Sequence, residues 1–128
     1  MPRPPSNQPT EVELQILKIL WRLGPSTVRT VHDELTSDRD TNFSTTTKMF
    51  AIMVEKGLVS RSGERRQFIY RPAASKNKTQ GRLIRQMIDR VFEGSASSLV
   101  LQALSAKNTS TEEIRQIRER LDQLEGDN

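Results

Sequence analysis

Residues 44–57 read STTTKMFAIMVEKG, and their opening carries the chemistry. Ser44, Thr45, Thr47 and Lys48 stand in front of an apolar body of Met49, Phe50, Ile52, Met53 and Val54. Threonine is a mediocre helix former, because its β-branch restricts χ1 against the preceding turn. A hydroxyl-rich front end on an apolar helix therefore asks for a reason. Short hydroxyls approach phosphates or base edges closely, threonine methyls fit thymine methyls, and a lysine reaches a phosphate or a guanine. Free N–H groups at a helix start add an anion site. A second cluster follows in LVSRSGERRQFIYRP, where Arg61, Arg65 and Arg66 face only Glu64. Arginines at a hairpin tip supply sequence-independent contacts to a polyanion backbone. Taken singly, the threonines read as a capping cluster and the arginines as a solvated turn. Together and in this order they point to double-stranded DNA.

Other chemistries lack their residues. The chain has no cysteine and one histidine, His32. Disulfides, thiolate metal sites, cysteine nucleophiles, a zinc centre and a histidine-based triad are thereby excluded. No glycine-rich phosphate loop or recognisable nucleophile–base pair is present, so the expectation is a non-enzyme without cofactor. The formal charge is +4 and the sequence pI about 9.9, which suits a polyanionic partner. Aromatic residues make up 5%, too few for base stacking to be the mode of binding. No apolar run approaches the ~20 residues that span a bilayer, and MPRPPSNQPT has no apolar signal core. A cytoplasmic protein with no membrane partner is expected.

The elements that must position these residues follow from the pattern. Residues 1–9 hold four prolines and read as a flexible tail. Thr10 with Glu13 forms a capping box in front of a helix over 11–23. Its stripe is Leu14, Leu17, Leu20 and Trp21, widened by Ile16, Ile19 and Leu23, and Gly24-Pro25 stops it. Trp21 falls in the stripe as a core anchor. A second helix spans 28–35, capped by Thr27 or Ser26, with Val28, Val31 and Leu35 inward and His32 one step off that face, a boundary residue. After the polar turn TSDRDTNF, Ser44 caps a third helix over 45–56, which Gly57 ends in the left-handed conformation. On it Phe50 and Met53, with Thr46 and Met49, face the other helices. Two β-prone runs, Leu58-Val59 and Phe68–Tyr70, flank the turn at Gly63-Glu64. Three helices and a basic hairpin make the order of a winged helix-turn-helix, with the third helix entering the major groove.

From Ser75 the pattern changes. A fourth helix over 76–93 carries Leu83, Ile84, Met87, Ile88, Val91 and Phe92 on one face, and over 76–90 it holds Lys76, Lys78, Arg82, Arg85 and Arg90 against Asp89. Gly94-Ser95 breaks it. A fifth helix over 96–105 holds Leu99, Val100, Leu101 and Leu104. Ser110 and Glu113 form another capping box. The sixth helix, to Leu124, spaces Ile114, Ile117, Leu121 and Leu124 as a narrow seam suited to a helix partner. Three helices with this much apolar surface imply pairing of two copies through 75–126. Two winged heads (10–74) would then stand in two-fold symmetry over a palindromic site, with half-sites in multiples of ~10 bp. The alternative is a monomer whose last helix folds back on its own head.

Four stretches, TEVELQILKILW, STTTKMFAIMVEKGLVSR, FIYRP and LIRQMIDRVFEGSASSLVLQALS, resemble the penicillinase and methicillin-resistance repressors, grouped with the copper-responsive repressors (the BlaI/MecI/CopY family). The last, a helix, a Phe-x-Gly-Ser break and then Ser-Ser-Leu-Val, is the most specific, and the resemblance covers about 9–124. It implies a homodimeric winged-helix repressor of transcription that reads DNA through 45–56, dimerises through its C-terminal helices and blocks polymerase at an operator. Two departures stand out. Antibiotic-responsive members are cleaved at an Asn-Phe bond in the dimerisation region. Here that place reads Leu101-Gln102-Ala103-Leu104, so a regulatory protease is a candidate partner only through a cut at some other bond near Gln102. Copper-responsive members end in cysteine pairs, which this chain lacks. The rival function is a winged-helix module that docks a protein instead of DNA.

Overall fold

The computed structural model describes residues 8–37, 39–64 and 66–127. Arg65 and most of the proline-rich N-terminal stretch therefore lie outside the described residues. The first helix, α1, spans Glu11–Leu23. Thr10 Oγ1 accepts from the Glu13 N–H (3.2 Å) and Glu13 Oε1 accepts from the Thr10 N–H (2.8 Å), so the expected capping box closes. Ile16, Leu17 and Leu20 are buried, Trp21 packs against their cluster, and the Trp21 indole N–H donates to the Ala74 carbonyl (3.1 Å). Glu13 is buried as well. Its Oε1 lies 2.6 Å from Lys56 Nζ, so the start of α1 is tied to the chain just past the third helix.

Helix α2 spans Val28–Leu35, with Thr27 as the cap. His32 is not at the boundary but buried, because its ring reaches a hydroxyl of the next helix. Helix α3 spans Phe43–Glu55 and starts earlier than expected. Asn42, not Ser44, is the cap, and asparagine ranks among the strongest N-caps. Its Oδ1 accepts from the Thr45 N–H (2.9 Å), and Ser44 falls inside the first turn. The far end closes as a Schellman motif. The Gly57 N–H donates to the Val54 carbonyl (3.0 Å) and the Leu58 N–H to that of Met53 (2.9 Å), with Gly57 at φ +76°.

Strands β1 (Val59–Ser62) and β2 (Ile69–Pro72) pair antiparallel, Arg61 opposite Tyr70. Ser26 adds a bridge to Tyr70, exchanging backbone bonds of 3.0 and 2.8 Å, which fastens the hairpin to the turn before α2. Phe68, expected in the second strand, lies just before it. The core is Ile16, Leu17, Leu20, Val31, Leu35, Phe50, Met53, Leu58, Val59 and Tyr70. Three helices, then a two-stranded wing, is the winged-helix order.

Helix α4 spans Lys76–Arg90, shorter than expected. Glu93 (φ 53°) and Gly94 (φ 83°) turn left-handed, and the Gly94 N–H returns to the Ile88 carbonyl (2.9 Å), so Val91 and Phe92 belong to the turn. Helix α5 spans Ala96–Ala106, capped by Ser95, and α6 spans Thr111–Gly126, opened by the Ser110–Glu113 box. The chain divides into two compact units between Leu83 and Ile84. In the second unit no described residue is buried.

Candidate nucleic-acid interface

On α3 the chain sorts its opening residues by face. Thr46, Phe50 and Met53 point inward and are buried, and Met49 is half-buried beside them. Ser44, Thr45, Thr47 and Lys48 are exposed, as the pattern requires. Their hydroxyls are not idle. Ser44 Oγ and Thr45 Oγ1 each donate to Asn42 Oδ1 (2.8 Å both), and Thr47 Oγ1 donates to the Phe43 carbonyl (3.0 Å). Each keeps its lone pairs, and the threonines keep their methyls, for whatever approaches from outside.

Thr47 also lines a groove of about 520 Å³ between α3 and the wing. Its other walls are Thr27, Val28, Arg29, Phe43, Ala51, Arg61, Arg66, Gln67, Phe68 and Tyr70. Of the expected contact residues, Thr47, Arg61 and Arg66 thus come together, and Arg65 lies outside the described residues. Ser44, Thr45 and Lys48 are not in this wall; they share the exposed front turns of α3. Among the described residues the groove is lined by three guanidinium-bearing side chains and no carboxylate. Its potential is positive by composition, and low-dielectric aromatic walls focus such a field.

Arg29 and Phe43 were not singled out in the sequence. The Arg29 guanidinium lies over the Phe43 ring, 4.0 Å from its centroid, and Arg61 lies over Phe68 at 4.5 Å. Phe43 in turn meets the His32 ring edge-on at 5.4 Å. The signal was there: a large aromatic in an otherwise polar turn, after a helix whose exposed side carries an arginine.

The residues expected to pair two copies keep their apolar faces open. Ile84, Met87, Val91, Val100, Leu101, Leu104, Ile114, Leu121 and Leu124 are exposed, while Leu83, Ile88, Phe92, Leu99 and Ile117 are half-buried. Leu104, Ile114, Ile117 and Leu121 line one shallow depression formed by α5, α6 and their connection.

Residues 9–123 match the family model described as penicillinase repressor. The chain belongs to the penicillinase repressor family. Among curated relatives in it, the penicillinase repressor of Bacillus licheniformis is 24% identical over 110 residues, 86% of each chain. The methicillin resistance regulatory protein MecI of Mammaliicoccus sciuri is 21% identical over 109 residues, 85% of this chain and 89% of the relative. MecI of Staphylococcus aureus strain N315 is 20% identical over the same length and shares. The family model thus spans both units, the winged head and the exposed helical segment, as the quoted motifs imply.

Proposed function

We propose that the protein is a transcriptional repressor that binds a palindromic operator in double-stranded DNA as a homodimer. Its relatives include a penicillinase repressor and a methicillin resistance regulatory protein. The observation that carries the DNA reading is that Thr47 of α3 and Arg61 and Arg66 of the wing line one groove. A helix about 10–12 Å across fits the major groove, and a basic wing beside it reaches the neighbouring backbone.

The hydroxyl geometry divides the labour. Ser44, Thr45 and Thr47 direct their protons to Asn42 and Phe43, so outward they present acceptors and methyls. A phosphate, which only accepts, is a poor partner for them. The amino groups of adenine and cytosine and the thymine methyl are good ones. Phosphate contact falls to Lys48, Arg61, Arg65 and Arg66. Residues 10–74 form the reading head and 75–126 the dimerisation region, whose part from Ile84 onward exposes its apolar side chains and buries none among the described residues. Blocking polymerase at the operator is then sufficient for repression.

The test is a footprint of the purified protein on the DNA upstream of its own gene, followed by titration of the protected duplex across salt. Two protected half-sites related by symmetry are expected. Changing Lys48, Arg61 and Arg66 together to alanine should reduce the slope of log K against log salt by about 2–3. A triple variant that binds the duplex as the parent does at every salt would instead favour the protein-docking module.

A further inference from the structure

Two arginines from different elements have been given the same seat. Arg29 comes from the exposed side of α2 and lies over Phe43, the first residue of α3. Arg61 comes from β1 and lies over Phe68, just before β2. All four residues line the groove between α3 and the wing. Each platform is tied inward. Phe43 meets the buried His32 ring edge-on, and His32 is bonded to Thr46. Phe68 meets Tyr70 edge-on at 6.2 Å, and Tyr70 packs on the buried Phe50 ring at 4.5 Å.

Neither Arg29 nor Arg61 forms an ion pair among the described residues. A guanidinium laid on a ring keeps its in-plane N–H fork free at the edge, and that fork matches two phosphate oxygens. Stacking also restricts the rotamers of a long side chain before a ligand arrives, which removes an ordering cost from binding. Val28 and Ala51, which also line the groove, are small and apolar, suited to lie against a sugar.

We propose that this groove holds one sugar–phosphate strand of the operator, and that Arg29, pre-oriented on Phe43 as Arg61 is on Phe68, is a backbone-positioning residue of the interface. This rests on the DNA reading above and adds to it a contact from α2. Arg29 then contributes affinity to any duplex and no preference among sequences.

The experiment uses the full-length protein and two duplexes of equal length, the footprinted upstream site and a scrambled version of it, titrated by fluorescence anisotropy across salt. Arg29→Ala is expected to weaken both duplexes alike, about 3- to 10-fold at physiological salt, and to lower the slope of log K against log salt by about 0.9. Phe43→Leu keeps the charge and removes the platform, so it should weaken both duplexes while leaving that slope unchanged. Arg29→Lys, at a surface position, isolates the stack if Phe43→Leu melts early. It should bind less tightly than the parent with an unaltered slope. Three results overturn the proposal: Arg29→Ala binding both duplexes like the parent, a loss confined to the footprinted site (a base contact), or capture of an acidic peptide with neither duplex affected. A parent protein that binds neither duplex at low salt sinks the DNA reading itself, a result distinct from a parent that binds and an Arg29→Ala variant that matches it.

Discussion

His32 Nδ1 lies 2.8 Å from Thr46 Oγ1, and this buried pair pins α2 to α3. Thr46 is fully buried, and its hydroxyl has a second, longer approach to the Asn42 carbonyl at 3.4 Å. The imidazole tautomer decides which partner donates, but either way both polar atoms are satisfied by each other. The contact sets the rotation of α3 about its axis, which decides that Thr46 faces in while Thr45 and Thr47 face out.

Replacing Thr46 with valine keeps the shape and removes the hydroxyl. His32 then has a buried ring nitrogen without its partner, a cost of about 1–3 kcal/mol. Urea unfolding followed by circular dichroism should show that loss as a lower midpoint at unchanged slope. Thr46→Ser retains the bond and should lose less. Equal losses for valine and serine would show that the methyl, not the hydrogen bond, carries the site.

A second buried pair gives a sharper test. Lys56 Nζ and Glu13 Oε1 are 2.6 Å apart with side chains 8% and 6% exposed, and the same carboxylate oxygen accepts from the Thr10 N–H. Breaking one side of a buried pair strands the other charge, which typically costs about 3–5 kcal/mol, whereas a neutral pair of similar volume costs little. Lys56→Met is therefore expected to be strongly destabilising, and adding Glu13→Gln should recover most of the loss while the glutamine still caps Thr10. A double variant no more stable than Lys56→Met alone, measured by the same urea transitions, would refute this.

These two pairs mark where the sequence stops being readable. α1 was legible to the residue, because a capping box at Thr10 and a Gly-Pro stop are local devices. The same holds for the Gly57 terminus and the Ser110 box. The start of α3 is not legible locally, because Asn42, Ser44 and Thr45 are all able caps, and the contacts of Phe43 with His32 and Arg29 follow no local pattern. His32 was read one step off the inner face of α2; its burial depends on Thr46, fourteen residues away. Glu13–Lys56 and Arg29–Phe43 join residues far apart in the chain, so no periodicity reveals them. The wing and Thr47 were expected to share a surface from element order alone, and the groove brings Thr47, Arg61 and Arg66 together. Ser44, Thr45 and Lys48 stand on the exposed front of α3 outside its wall.

Acid should loosen α6 by a traceable route. The Ser110 backbone N–H, then its hydroxyl, hold the Glu113 carboxyl below the usual carboxylate range, and Arg115 does the same for Glu112. A carboxyl lowered in the folded state stabilises it above the unfolded value of about 4.3, and that contribution is lost as pH falls through the folded value. Helicity should therefore decline as pH is taken from above 5 to below 4. Glu113→Gln keeps a capping acceptor that does not titrate, so its helicity should change less over that window. The sensitivity that remains belongs in part to the Glu112–Arg115 pair. An identical acid profile for parent and variant would remove Glu113 from the account.

The apolar faces of the second unit make the last prediction. Leu121 is 53% exposed and Ile114 39%, and with Ile117 and Leu104 they line one depression of a unit that buries no described residue. Burying an apolar side chain of this size contributes about 1.5–3 kcal/mol, so a partner that covers several of them has ample driving force. The spacing of Ile114, Ile117, Leu121 and Leu124 suits a helix of a second copy, which fits the two-fold symmetry a palindromic operator requires. Ile117→Lys and Leu121→Asp each place a charge in that seam, in the unit that does not hold the core of the head. In sedimentation both variants should shift from dimer toward monomer at micromolar concentration. On the proposed palindromic operator, affinity should fall with them, because a lone head would hold one half-site. The core of the head should remain, since Ile16, Leu20, Phe50 and Tyr70 all belong to the first unit. A variant that stays dimeric would move the interface away from α6. One that becomes monomeric yet binds the operator as tightly as the parent would detach dimerisation from DNA binding.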